Sequence, residues 1–172
     1  GFRRMLLRGD SDFTQTAKLD EWDAAGDVSF IFGIDAMPNL VKQADALPES
    51  AWRRLSRPPR YSVQTQPRQR PANVKEQIVR QRQFDNIRLV SEDVAEFAYR
   101  PGLCKQAYRV VVVRKNLSVE KGEQVLFDDI RYFFYITNDR TSTAEQVVLL
   151  ANDRCDQENL IQQLKGQVKA LS

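Results

Sequence analysis

Residues 28–35 read VSFIFGID, an apolar run that ends in an aspartate, and residues 5–10 read MLLRGD, a shorter run with the same ending. Both patterns predict short buried β-strands. Between them, a helical pattern from Phe13 to Ala25 places Leu19 and Trp22 on one face, and Gly26 provides the stop that glycine favours. The order strand, helix, strand predicts a parallel α/β unit.

The rest of the chain predicts a β-rich region and then a helix. A second helix is expected from about Asn39 to Ala46, before Pro48. Strands are expected at 87–90, 96–99, 107–114 and 125–137, and a helical period runs from about Thr143 towards residue 163. The early strands and the last helix need each other for burial. We therefore expect an α/β core at residues 1–50 and 131–172, interrupted by a basic and β-rich insertion at 51–130.

Residues 51–82 carry a concentrated positive charge. Eight arginines and one lysine stand against the single acid Glu76, a local net charge of 9 − 1 = +8. Prolines exclude a long helix in the first part, so we expect an exposed segment with a strand over 61–65 and a helix over 74–83. The charge favours either binding to the DNA backbone or a solubilising role. Trp52, Tyr61 and Phe84 are candidates either for stacking on a base or for the core.

Composition excludes several kinds of chemistry. The 172 residues contain no histidine, which rules out Ser-His-Asp and Cys-His nucleophile systems and histidine-bearing zinc sites. Cys104 and Cys155 do not form a close pair in the sequence. Catalysis must therefore rest on carboxylates, Lys, Arg, Tyr or a hard metal held by oxygen. The unpaired cysteines and the absence of a long apolar run predict a cytoplasmic protein.

The segment 154–165 places three charged side chains on one helix face. Arg154, Glu158 and Lys165 are separated by four and seven residues, and successive helical residues rotate by about 100°. An apolar stripe lies beside them and would dock the helix, formed by Ile161, Leu164, Val168 and Leu171. One interpretation is a solvated helix with an i,i+4 ion pair. The other is a functional site at the rim of a buried interface.

The spacing of Arg154, Glu158 and Lys165 resembles the YREK signature of DDE transposases from bacterial insertion sequences. Two more segments are similar to motifs of that family and occur in the expected order. LLRGDSDF at 6–13 resembles the segment that carries the second catalytic aspartate, and YFFYITN at 132–138 resembles the strand before the signature helix. The resemblance covers essentially the whole chain. It implies a ribonuclease-H-like α/β fold with a large β-rich insertion between the second aspartate and the glutamate-bearing helix.

The resemblance also implies a reaction and its residues. Asp10 and Glu158 would be catalytic ligands of Mg²⁺, for which Mn²⁺ can substitute, and Arg154 and Lys165 would contact the DNA backbone. The implied activity is phosphodiester cleavage and strand transfer at insertion-sequence ends. The implied partners are double-stranded DNA, as terminal inverted repeats and target, and a second copy of the chain in a synaptic complex at the bacterial nucleoid. Carboxylates suit this chemistry because hard divalent ions prefer oxygen ligands.

Two departures from the family pattern qualify these expectations. The tyrosine of the signature falls at Ala151, so its hydroxyl contact with phosphate is missing. The first aspartate of the family lies on a strand upstream of Met5, so we expect an N-terminally truncated fragment that lacks a complete metal site and is inactive alone. A non-catalytic DNA-binding fragment that inhibits transposition, and a ribonuclease-H-like nuclease, are the alternatives.

Both strand-ending acids have ordinary structural interpretations as well. Asp10 could cap a turn or the helix that follows it. Asp35 is expected to cap the next helix, and the resemblance assigns it no role.

Overall fold

The structure, a computed structural model, describes residues 3–57, 77–78, 81–82, 85–121 and 124–153. The expected strand at 61–65 and most of the expected helix at 74–83 lie outside these residues. In chain order the elements are β1 (Met5–Gly9), α1 (Leu19–Ala25), β2 (Val28–Ile34), α2 (Pro38–Asp45), β3 (Arg53–Arg54), β4 (Asp85–Tyr99), β5 (Tyr108–Lys121), β6 (Gln124–Thr137) and α3 (Ala144–Asn152).

The described strands form one mixed sheet in the order β1-β2-β6-β5-β4-β3. β1 and β2 are parallel, with Met5 opposite Val28 and Gly9 opposite Phe32, which confirms the predicted parallel unit. β6 runs antiparallel to β2, with Ile31 opposite Thr137. The fold is therefore mixed α/β.

The first helix begins later than the sequence predicted. Two short 3₁₀ turns, Ser11–Phe13 and Thr16–Lys18, precede α1. The Thr14 hydroxyl lies 3.1 Å from the carbonyl oxygen of Asp10 and 2.5 Å from that of Gly33, and such side-chain bonds compete with helical pairing. The end of α1 agrees with the prediction, because Gly26 adopts the left-handed conformation at φ 75°.

One long strand, β4, replaces the two strands predicted at 87–90 and 96–99. The prediction left residues 91–95 between the two strands. The structure keeps them in one strand, in which the polar side chains at 91–93 are paired. Arg57 donates two hydrogen bonds to Glu92, at 2.6 and 2.9 Å. Asn116 donates to the side chains of Ser91 and Asp93. Buried polar groups that are satisfied in this way need not interrupt a strand.

The chain divides into two compact units. The first holds the described residues of 1–53, 94–113 and 132–172, and the second holds those of 54–93 and 114–131. The expected insertion at 51–130 corresponds to this division only in part, because the segment 94–113 belongs to the first unit. The reason is that Ala95, Val110 and Val112 from this segment join the core of that unit.

The main buried cluster of the first unit lies on one face of its strands. Alternate strand residues point to the same face, and Phe30, Phe32 and Phe134 pack in one buried cluster with Leu19 of α1 and Leu40 of α2. The intervening residues Ile31, Val111 and Val113 are also buried, as are Val147 and Val148 of α3, which contacts β2. Both faces of the strands in this unit therefore carry buried apolar residues. Every helix in the described residues is too short or too polar to cross a lipid bilayer.

Candidate functional site

A cavity of about 370 Å³ lies at the end of β1 and β2 in the first unit. Because the two strands are parallel, their carboxyl ends meet at one edge of the sheet, and Asp10 and Asp35 follow those ends directly. Both aspartates line the cavity. Residues 132–135 of β6 and the end of α3, Ala151 and Asn152, complete its wall. The fold thus brings two acids, 25 positions apart in the sequence, to one concave surface.

Asp10 follows β1 and opens the turn Ser11–Phe13. Its side chain makes no capping hydrogen bond to that turn, so the cap interpretation of this carboxyl group is wrong. The turn is instead built by the backbone, in which the Asp10 carbonyl accepts from the amide of Phe13 at 3.2 Å. The Oδ1 atom of Asp10 is shielded from solvent. Asp10 itself lines the cavity, and carboxylates are the ligands that hard divalent cations prefer.

Two glycines allow the backbone around Asp10 to approach the sheet closely. A Cβ atom at Gly33 would lie 3.3 Å from the amide nitrogen of Ser11 and 3.5 Å from Cα of Asp10. A Cβ atom at Gly9 would lie only 2.8 Å from Cβ of Phe13. The glycines in VSFIFGID and MLLRGD therefore set the position of Asp10, a role that the local pattern did not reveal.

Asp35 does not cap the following helix, contrary to expectation. The N-cap residue of α2 is Met37, and α2 has no side-chain capping bond. The Asp35 carbonyl accepts from the amide of Met37 at 2.7 Å, and Pro38 occupies the first turn, where its missing N–H costs nothing. Asp35 is exposed, and it lines the same cavity as Asp10.

The connection from β6 to α3 is fixed by side-chain hydrogen bonds. The Asp139 carboxylate accepts from the amides of Thr141 and Ser142, at 2.8 and 3.0 Å. Burial alone would raise the pKa of Asp139, yet the hydrogen bonds from Ser142 and Thr141 outweigh it and lower the pKa to about 2. Thr143 and Gln146 then form a capping box, which confirms the predicted start of the helix.

Side chains from β1 and β6, the two strands that flank β2 in the sheet, contact the end of α3. Arg8 of β1 donates from Nη1 to the carbonyl oxygen of Leu150, at 2.8 Å. The Tyr135 hydroxyl of β6 lies 3.4 Å from Oδ1 of Asn152. Sequence reasoning missed these contacts, and the one available signal was Arg8 itself, a charged residue in an apolar strand.

Three of the four predicted site residues lie outside the described part of the chain. These are Arg154, Glu158 and Lys165, whose roles stay predictions. The description ends at Asp153, one residue after α3, and Ala151, the position of the signature tyrosine, is on the cavity wall. In sequence, Glu158 follows Asn152 by six residues.

The donor atoms at the cavity suit a hard divalent cation. Among the described residues, no group of three or more His, Cys, Asp or Glu side chains could hold a metal ion. Asp10 and Asp35 nevertheless offer carboxylate oxygens, the ligands that Mg²⁺ and Mn²⁺ prefer. A further carboxylate would be needed from another part of the chain.

Two arginines at the start of the basic segment lie beside acids of β4. Of its described residues, Arg57 is paired with Glu92, and Arg54 lies 3.7 Å from Asp93. The hydrogen bonds from Arg57 lower the pKa of Glu92, which keeps this acid charged beside it. These acids lie in β4, 35 or more positions along the chain, so a local charge count could not anticipate them.

The aromatic residues proposed for base stacking are only partly described. Trp52 packs against the buried cluster and against the ring of Tyr132, with centroids 6.2 Å apart. The core interpretation of Trp52 is therefore confirmed, while Tyr61 and Phe84 lie outside the described residues. Cys104 is buried, as expected for a small apolar residue, and Cys155 is not described.

Comparison of the chain with protein-family models, with curated proteins and with solved structures gave no match.

Proposed function

We propose that this chain is part of a DDE transposase that cleaves and joins DNA at the ends of a bacterial insertion sequence. In this proposal the mixed sheet is a ribonuclease-H-like core, and Asp10 and Glu158 bind Mg²⁺ or Mn²⁺. When bound, a pair of such ions activates the attacking hydroxyl and stabilises the leaving oxygen of a phosphodiester. Arg154 and Lys165 hold the phosphate backbone by charge-assisted hydrogen bonds.

The observation that carries the proposal is the composition of the cavity wall. Asp10 lies on it, and so does the end of α3, from which the chain continues to Arg154 and Glu158. The two motifs that resemble the transposase family are far apart in the sequence, and Asp10 of the first and Ala151, the first position of the second, line the same cavity. Phosphoryl transfer by two metal ions needs carboxylate ligands grouped at one site, which is why a shared cavity supports the proposal.

The proposal is tested by metal-dependent cleavage with single-residue controls. The substrate is a linear duplex that carries the DNA flanking the coding sequence, and the protein is the full natural chain with Mg²⁺ or Mn²⁺. We expect Asp10→Asn and Glu158→Gln each to lower the cleavage rate at least about 100-fold, since each removes a metal ligand. Asp12→Asn is the matched control, because Asp12 is exposed two positions from Asp10 and should leave the rate unchanged.

The products distinguish the alternatives. Cleavage followed by joining to a second duplex supports a transposase, whereas cleavage without joining favours a ribonuclease-H-like nuclease. Binding of the flanking DNA without cleavage in either metal favours a non-catalytic inhibitor of transposition. Cleavage that survives Asp10→Asn would contradict every version in which this carboxylate binds metal.

A further inference from the structure

We propose that Arg8 is a positioning residue, which holds the end of α3 against the strand that leads to Asp10. The inference rests on the proposed function, because it concerns how the end of α3, which lines the cavity with Asp10, is held in place. It assigns Arg8 no contact with DNA or metal.

The orientation of Arg8 follows from strand alternation. Leu7 packs against the buried cluster that contains α1 and α2, so the next residue points to the opposite face. The residue opposite Arg8 in the register is Ile31, which is 1% exposed on that face. The guanidinium of Arg8 therefore emerges at the side of the sheet where α3 contacts β2.

The contact itself matches what a helix end requires. Leu150 is among the last four residues of α3, whose carbonyl groups find no amide partner within a regular helix. Arg8 Nη1 reaches this carbonyl at 2.8 Å, and a positive charge at a helix C-terminus is favourable. Only an arginine or lysine at this position of β1 could supply both the hydrogen-bond donor and the positive charge. Lysine carries both on one ammonium group, whereas the planar guanidinium of arginine presents several donors in a fixed geometry.

The contact joins two otherwise remote pieces of the candidate site. Arg8 precedes Asp10 by two residues, and Leu150 precedes Glu158 by eight, while 142 positions separate the bonded pair. Asp10 and the start of the segment towards Glu158 are thus linked through one hydrogen bond. If Arg8 is removed, the end of α3 loses this hydrogen bond to β1, and the cavity wall formed by Ala151 and Asn152 is less firmly held beside Asp10.

The test measures amide hydrogen exchange and Mn²⁺ binding on the intact protein. We expect Arg8→Ala to speed exchange at residues 150–153 about tenfold and to leave exchange in α1 unchanged. We expect the same variant to raise the Mn²⁺ dissociation constant, followed by electron paramagnetic resonance, about tenfold. Arg8→Lys should recover part of both effects.

Arg140→Ala is the matched control, since it removes another arginine of the same unit. Arg140 is 73% exposed and lies 3.8 Å from Asp23, away from α3's last turn, so neither measurement should change. Faster exchange with unchanged Mn²⁺ affinity, or unchanged exchange, overturns the assignment of Arg8 alone. A wild-type protein that binds no Mn²⁺ overturns the proposed function and this inference together.

Discussion

Replacing Gly9 with alanine should destabilise the protein by disturbing the turn that carries Asp10. The added Cβ would lie 2.8 Å from Cβ of Phe13 and 3.1 Å from Cδ1 of Phe32. Carbon atoms normally approach to about 3.5–4.0 Å, so the turn must move by roughly 1 Å. Neither contact is the end of a long flexible side chain that could swing aside.

The magnitude follows from two opposing terms. Forcing an extra carbon into a packed site costs about 1–3 kcal/mol. Alanine also restricts the unfolded chain, which returns about 0.4–1 kcal/mol where the native backbone tolerates it. The expected net loss for Gly9→Ala is therefore about 1–2 kcal/mol. Gly102→Ala is the matched control, because no atom lies within 4 Å of its added Cβ and its φ is not positive, so stability should stay equal or rise slightly.

Urea unfolding followed by circular dichroism measures both variants. The midpoint should fall for Gly9→Ala with an unchanged denaturant slope, because the change affects stability and not the surface exposed on unfolding. Gly9→Ala should also weaken Mn²⁺ binding, since the displaced turn includes Asp10. If Gly9→Ala proves as stable as Gly102→Ala, the close approach of the turn to β1 is not present in the protein and the reasoning fails.

Three further predictions concern α1, α3 and the residues that flank them. Gly26→Ala should cost about 1 kcal/mol because φ is 75° there although the space is open, and a urea midpoint equal to wild type would contradict this. The pKa of Asp139 is lowered from 3.8 to about 2, so its ionised form stabilises the fold above pH 4, and this stabilisation is lost as the pH falls towards 2. Asp139→Asn should therefore lower the free energy of unfolding at pH 7 by about 1–2 kcal/mol. The melting temperature of this variant should depend less on pH between 4 and 2 than that of the wild type. Val147→Ala should cost about 2 kcal/mol, since this side chain is fully buried, and a change below about 0.5 kcal/mol in chemical unfolding would show that α3 is not packed as described.

Local patterns predicted the elements whose signals are local. The apolar run 28–34 matches β2 at both ends, and Gly26 ends α1 as predicted. Thr143 begins α3 through a capping box formed by residues three apart. These features depend on backbone preference and on neighbours within one turn, which the sequence displays directly.

Predictions failed for both distant and local reasons. β4 stays continuous through polar residues because Arg57 and Asn116 satisfy them from elsewhere in the chain. The partners of these polar residues are 23–35 positions away, beyond a local sequence window. Asp35 failed as a helix cap for a local reason, because Met37, two residues later, is the N-cap residue of α2.

The sequence by itself determined the chemical repertoire of this protein and the acid at the end of its first strand. Without histidine it directs any catalysis towards carboxylates, and the motif around Asp10 predicts which carboxylate to examine first. Only the tertiary structure decided that Asp10, Asp35 and the end of α3 share one cavity, and that Arg8 ties that helix end to β1. The physical reason is that strand pairing and helix packing bring together residues more than a hundred positions apart. Local backbone and capping preferences do not predict such long-range contacts.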